Sequence, residues 1–192
     1  MKFITKHLTV TEYDSVKDGL ATPHVAYIEE TDGYEYEPYV PSAPNNIITY
    51  KASAALAETT STSSSGLHTN AFSGASGQLT KTSHTFENGV GTIVFDGDIT
   101  SVGSYAFAGA SITNIMLPNR VESIGSGAFF GCIGLESITC RAMTAPTCYT
   151  ETFRDVKTGG TLYVPQGSSG YDSWMSTSNY YLGRYEWRKV EQ

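Results

Sequence analysis

The chain has 192 residues, 40 % of them hydrophobic and 16 % charged, with a formal net charge of −7. That acidic balance argues against nucleic acid or an anionic membrane surface as the main partner. No apolar run approaches the roughly 18 residues of a membrane-spanning helix, so membrane insertion is not expected.

Residues 1–50 differ in composition from the rest of the chain, with eight acids against three lysines. Runs rich in β-branched residues and tyrosine predict strands at 3–5, 8–11, 25–29 and 47–51. Asp32-Gly33 suits a hairpin turn, because this dipeptide reaches positive φ cheaply. Pro38, Pro41 and Pro44 break regular structure and mark a connector. The opening residues lack the apolar core of a secretory leader, so no signal peptide is read there. The acidic, tyrosine-rich residues 29–39 read as a solvated hairpin, with a calcium or partner site as the alternative; the acids are not at EF-hand spacing. Residues 1–50 are therefore expected to form a small β unit or arm. Residues 51–84, with the Ser/Thr run 59–65 as an exposed loop, form a connector and a degenerate first repeat.

From residue 99 one phrase is written twice. Ile99, Val102, Gly103, Ala106 and Phe107 return as Val121, Ile124, Gly125, Ala128 and Phe129, each displaced by 22 positions. A period of this size belongs to a solenoid, whose coils bury their apolar faces against one another. The strands after each phrase align as residues 112–118 and 135–141. Residues 90–96 upstream and 162–165 downstream fall into the same register. Alternation then points Ile93, Ile115, Ile138 and Leu162 inward as one column, and Phe95, Leu117, Cys140 and Val164 as another. Phe107, Phe129 and Phe153 form an aromatic column that Phe72 could begin. Gly103 and Gly125 share one repeat position, as expected where the backbone needs positive φ or a close approach. The fold class is mainly β: a short solenoid with a parallel sheet over residues 85–192. A hairpin turning at Asn88-Gly89 caps one end, and a short helix at 170–175 with a final strand caps the other.

Three cysteines, Cys132, Cys140 and Cys148, are too few for a disulfide framework. Their spacing does not suit zinc. Buried thiols are expected, with a Cys140–Cys148 disulfide as the alternative. Tyr180, Tyr181, Tyr185 and Trp187 read as part of the C-terminal cap rather than a ligand cage.

The motif Ile124-Gly125-x-x-Ala128-Phe129-x-x-Cys132-x-x-Leu135-x-x-Ile138 resembles the BspA-type (Treponema pallidum-type) leucine-rich repeat. The ending, from Ala145-Pro146 through Phe153 and Leu162-Tyr163-Val164-Pro165 to Tyr171 and Trp174, resembles that family's C-terminal cap. The resemblance spans about residues 66–192. It departs from the pattern at Ala110, where the Cys is missing, and at Thr152, where Ala is expected. It implies a curved leucine-rich-repeat solenoid acting in binding or adhesion at the surface of host-associated bacteria, without catalysis. Residues 1–65 receive nothing from it.

Outward positions of the same register are Val94, Met116, Thr139 and Tyr163 in one column and Thr92, Asn114, Ser137 and Thr161 in the next. The candidate binding face is Val94, Met116, Thr139, Tyr163, Asn114 and Ser137, since exposed Met and Tyr suit adaptable contact surfaces. No catalytic residue, metal site or cofactor is expected. His7, His24, His68 and His84 are scattered outside the repeats, and no nucleophile elbow, phosphate loop or His-Glu-x-x-His occurs. Asp96-Gly97-Asp98 reads as a tight turn rather than a metal loop. The expected partner is a protein or glycan at a bacterial surface. The alternative is a structural component of a phage or prophage tail, docked through the N-terminal arm.

Overall fold

The computed structural model describes residues 44–60 and 65–192, together with short strands at 7–8 and 27–28. Contacts divide the chain into two units, Met1–Ala43 and Pro44–Gln192. In the first, β1 (His7–Leu8) and β2 (Tyr27–Ile28) pair in parallel. The strand expected at 3–5, the Asp32-Gly33 turn, the acidic stretch 29–39, Pro38 and Pro41 lie outside the described residues, as does part of the Ser/Thr run.

The second unit begins with β3 (Ile47–Ala52), β4 (Glu58–Thr59), β5 (Leu67–His68), β6 (Phe72–Gly74) and β7 (Gly77–Gln78). Next come the long hairpin strands β8 (Lys81–Glu87) and β9 (Val90–Phe95). The repeats then supply β10 (Ser101–Val102), β11 (Ile112–Leu117), β12 (Ser123–Ile124), β13 (Ser137–Cys140), β14 (Thr147–Cys148) and β15 (Thr161–Val164). The last strand is β16 (Arg188–Glu191). The longer strands form a seven-stranded sheet, ordered β16-β15-β13-β11-β3-β9-β8, and strands of two or three residues form a second sheet, ordered β14-β12-β10-β6-β7. From β11 to β16 the large sheet is parallel, as right-handed stacked coils require. The Asn88-Gly89 turn has φ of 51° and 81°, the left-handed pair that matches a tight hairpin.

Between the two sheets the repeat phrase builds one core. Phe107, Phe129 and Phe153 stack with ring centroids 5.6 and 5.7 Å apart and planes within 4° of parallel. Phe72 begins this column, edge-on to Phe107 at 5.7 Å, and Trp174 ends it at 5.3 Å from Phe153. Thr152, which stands where the repeat calls for Ala, is fully buried. It stays there because its one hydroxyl hydrogen is shared between the carbonyls of Tyr149 and Gly125, at 2.7 and 3.2 Å. At Gly103 and Gly125 the operative reason is close approach: a Cβ at 103 would lie 2.7 Å from the Ala71 carbonyl oxygen, and one at 125 would meet the Ser104 backbone. Left-handed backbone falls instead at Tyr105, Gly127 and Glu151, and at Gly109, Gly131 and Asp155. The coil therefore fixes the conformation at these sites even where the residue is not glycine.

One element departs from expectation. β3, read from sequence as part of the N-terminal segment, lies inside the large sheet, antiparallel to both β9 and β11. A boundary at residue 50 would cut this strand, whereas the contacts divide after Ala43. Its presence also separates Ile93 from Ile115, which were expected as neighbours in one column. Ile93 pairs with Ile48, and Ile115 with Tyr50. Ile48 and Tyr50 are buried to 0 % and 1 % exposure. The Tyr50 ring occupies the space over Gly91 that any side chain there would fill. Its hydroxyl accepts the Leu56 amide hydrogen at 3.0 Å and bonds His84 Nε2 at 2.7 Å. His84 Nδ1–H in turn donates to Glu58 at 2.9 Å. These bonds tie β3 to β8 and to the segment between β3 and β5.

At the C-terminal end a 3₁₀ turn (Tyr171–Ser173), a second one (Leu182–Tyr185) and β16 close the core. The tips of the aromatics are spent on backbone groups. Tyr171 donates to Ala142, Trp174 to Pro146, Tyr181 to Cys148 and Trp187 to Lys157. All three cysteines are free thiols, so Cys140 and Cys148 are not joined. Burial pushes the Cys132 thiol up to about 12, which removes it from nucleophilic chemistry near neutrality.

Candidate functional site

Alternation along the long strands sends every second side chain away from the core, and the pairing register gathers these into two rows. The first runs Glu87, Val90, Lys51, Asn114, Ser137, Thr161 and Arg188. The second runs Thr85, Thr92, Thr49, Met116, Thr139, Tyr163 and Val190. Of the expected face, Met116, Thr139 and Tyr163 stand side by side in the second row, and Asn114 and Ser137 in the first. Val94 does not join them. Inserted β3 shifts β9 by two residues, so Thr92 is level with Met116 across Thr49, while Val94 pairs with Ile47.

Side-chain hydrogen bonds hold the floor of the face. Thr113 donates to Asn114 at 2.8 Å, and Asn114 donates to Ser137 at 2.6 Å. Arg188 Nε donates to the Thr161 hydroxyl at 3.1 Å. Over the centre lies a shallow depression of about 240 Å³, smaller than the roughly 300–1,000 Å³ of enclosed ligand clefts. Thr49, Lys51, Asn114, Met116, Ser137 and Thr139 border it. Lys51 and Arg188 are exposed, and neither forms an ion pair among the described residues. Thr49, Lys51 and Arg188 were missed by sequence reasoning. The alternation of 47–51 announced a strand, but nothing in the local pattern announced its neighbours.

Other groups with chemical potential are absorbed by structure. The Tyr50–His84–Glu58 chain has the order of a proton relay, yet Tyr50 is 1 % exposed and leaves no room for a substrate. Burial alone would raise the Glu58 pKa, but hydrogen bonds from His84 and Lys81 hold it below the ordinary carboxylate value. Asp96 accepts the Thr80 amide hydrogen, and Asp98 pairs with Arg120 at 3.0 Å, so the Asp-Gly-Asp turn is structural. Among the described residues, no three His, Cys, Asp or Glu side chains gather to hold a metal. None of those residues forms a helix long and apolar enough to cross a membrane.

These features define a repeat solenoid, a class of fold that typically serves as a binding scaffold without catalysis. Residues 81–175 match the family described as BspA type leucine rich repeat region (6 copies), and the repeat region of this chain belongs to that family. Comparison with curated proteins and with solved structures finds no match.

Proposed function

We propose that the chain is a non-catalytic recognition module that engages a protein or glycan at a bacterial surface through the outward face of its seven-stranded sheet. One observation carries this reading: the two rows form a continuous face in which Met116 and Tyr163 stand half-buried among Thr, Ser and Asn. Adaptable apolar side chains among hydroxyls suit a contact surface. The backbone beneath is held by paired strands, so little ordering is needed on binding. The test is the double variant Met116→Ser, Tyr163→Ser of the full chain, screened beside the wild type on a glycan array and against immobilised surface proteins. Loss of the wild-type signals with an unchanged melting temperature supports the face. Retention of every signal removes it.

A further inference from the structure

Resting on that reading of the face, we infer that its ligand is a glycan bearing carboxylates. The first row holds Lys51 at one position and Arg188 four strands away. At about 4.8 Å per strand the two cations stand roughly 19 Å apart. Between them the row is neutral: Asn114, Ser137 and Thr161. The parallel row beside it, from Thr49 to Val190, carries no charge at all. A strip this long, without an acid of its own and with two cations that form no ion pair among the described residues, is a local reversal in a chain of net charge −7. Glu87, the one carboxylate in the row, lies beyond Val90 at the far edge and limits the strip on that side.

The chemistry of the floor selects the class of polyanion. A protein interface is built around a charge-depleted apolar centre rich in aromatics, whereas here the row between the two cations is hydroxyl and amide, and only Met116 and Tyr163 beside it are large and apolar. Hydroxyls and amides spaced at the strand repeat match the hydroxyls of successive sugar rings. Met116 and the Tyr163 ring offer the apolar patches on which the C–H faces of pyranoses rest. The two cations supply charge-assisted hydrogen bonds to carboxylates. Arg188 is already oriented, since Nε is held by Thr161 and its two terminal nitrogens stay available.

The experiment is calorimetric titration of the full chain with a galacturonate tetramer, the neutral cellotetraose and a tetraglutamate peptide. The galacturonate tetramer should bind, and the other two should bind at least about fivefold more weakly. Lys51→Gln and Arg188→Gln should each weaken galacturonate binding by about three- to fivefold, the scale of one exposed ion pair. Lys189→Gln, whose lysine pairs with Asp172, should leave it unchanged. Raising salt from about 0.1 to about 1 M, where the screening length falls from about 10 to about 3 Å, should weaken the wild type far more than the double cation variant. Equal binding of cellotetraose, absent galacturonate binding, or indifference to both cation variants overturns the assignment. Tetraglutamate binding as tightly, with the same dependence on Lys51 and Arg188, overturns the glycan in favour of an acidic peptide. If Met116→Ser, Tyr163→Ser abolishes recognition of a partner while the cation variants do not, the anionic ligand falls and the face stands. If neither set of variants matters, both fall.

Discussion

Truncating Ile48 distinguishes two places for the strand that carries it. If residues 1–50 lay outside the solenoid, Ile48→Ala would resemble a surface change, within about 0.5 kcal/mol of neutral. In the observed sheet Ile48 is fully buried in β3, paired with Ile93 and between β9 and β11. Removing a buried isoleucine to alanine there costs about 2–5 kcal/mol, because the lost apolar transfer adds to an unfilled cavity. Taking about 3 kcal/mol, and about 2–4 °C per kcal/mol for a unit near 150 residues, the melting temperature should fall by about 6–12 °C. The outward neighbour Thr49→Ala is the control, with a loss under about 1 kcal/mol. Urea unfolding followed by circular dichroism should show a shifted midpoint with an unchanged slope for Ile48→Ala. A loss below about 1 kcal/mol, or equal losses at 48 and 49, would refute the insertion of β3.

The core and its edge give two further outcomes. Phe129→Ala, which empties the centre of the ring stack, should cost about 3–5 kcal/mol in urea unfolding; a cost under about 1 kcal/mol would show that the stack contributes little. Glu58 has a folded pKa below its ordinary 4.5, so its contribution is present above about pH 4.5 and is lost as pH falls through the lower folded value. Glu58→Gln should therefore melt below the wild type at neutral pH, by the small margin of a pair whose carboxylate side chain is 38 % exposed. The gap should close as the pH is lowered past 4.5, and a gap that persists at low pH would remove the carboxylate from the account.

Most of the solenoid is legible because its signal is periodic. With Phe107 and Phe129 22 residues apart on equivalent phrases, the inward set follows from coil stacking, and the structure places Ile115, Ile138 and Leu162 in adjacent strands accordingly. The failure comes at the first coil. Residues 90–95 fit the repeat pattern, which sets β9 beside β11, and the alternation of 47–51 says only that a strand exists. Local propensity carries no information about which neighbours a strand will find when they lie as far along the chain as Val90 and Asn114 do from Lys51. A physical hint is present in Gly91, an inward position without a side chain in a strand otherwise filled by Ile93 and Phe95. That vacancy is occupied by Tyr50. The polar Thr152 is equally opaque, since its partners are carbonyls supplied only by the folded coil.

The inserted strand links stability to recognition without merging them. Alternation points Ile48 and Tyr50 into the core and Thr49 and Lys51 onto the outward face, so one six-residue strand serves both sides of the sheet. Without β3 the face would begin at Asn114 and lose the lysine at one end of its neutral strip. The repeats supply the hydroxyl floor, and the closing strand β16 supplies Arg188 at the other end. Changes at 48 should therefore read out in unfolding through lost packing, whereas changes at 51 should read out in binding with stability intact. Opposite pairing of those effects, stability tracking Lys51 and binding tracking Ile48 at temperatures where both variants are folded, would mean that the strand's two faces are assigned the wrong way round.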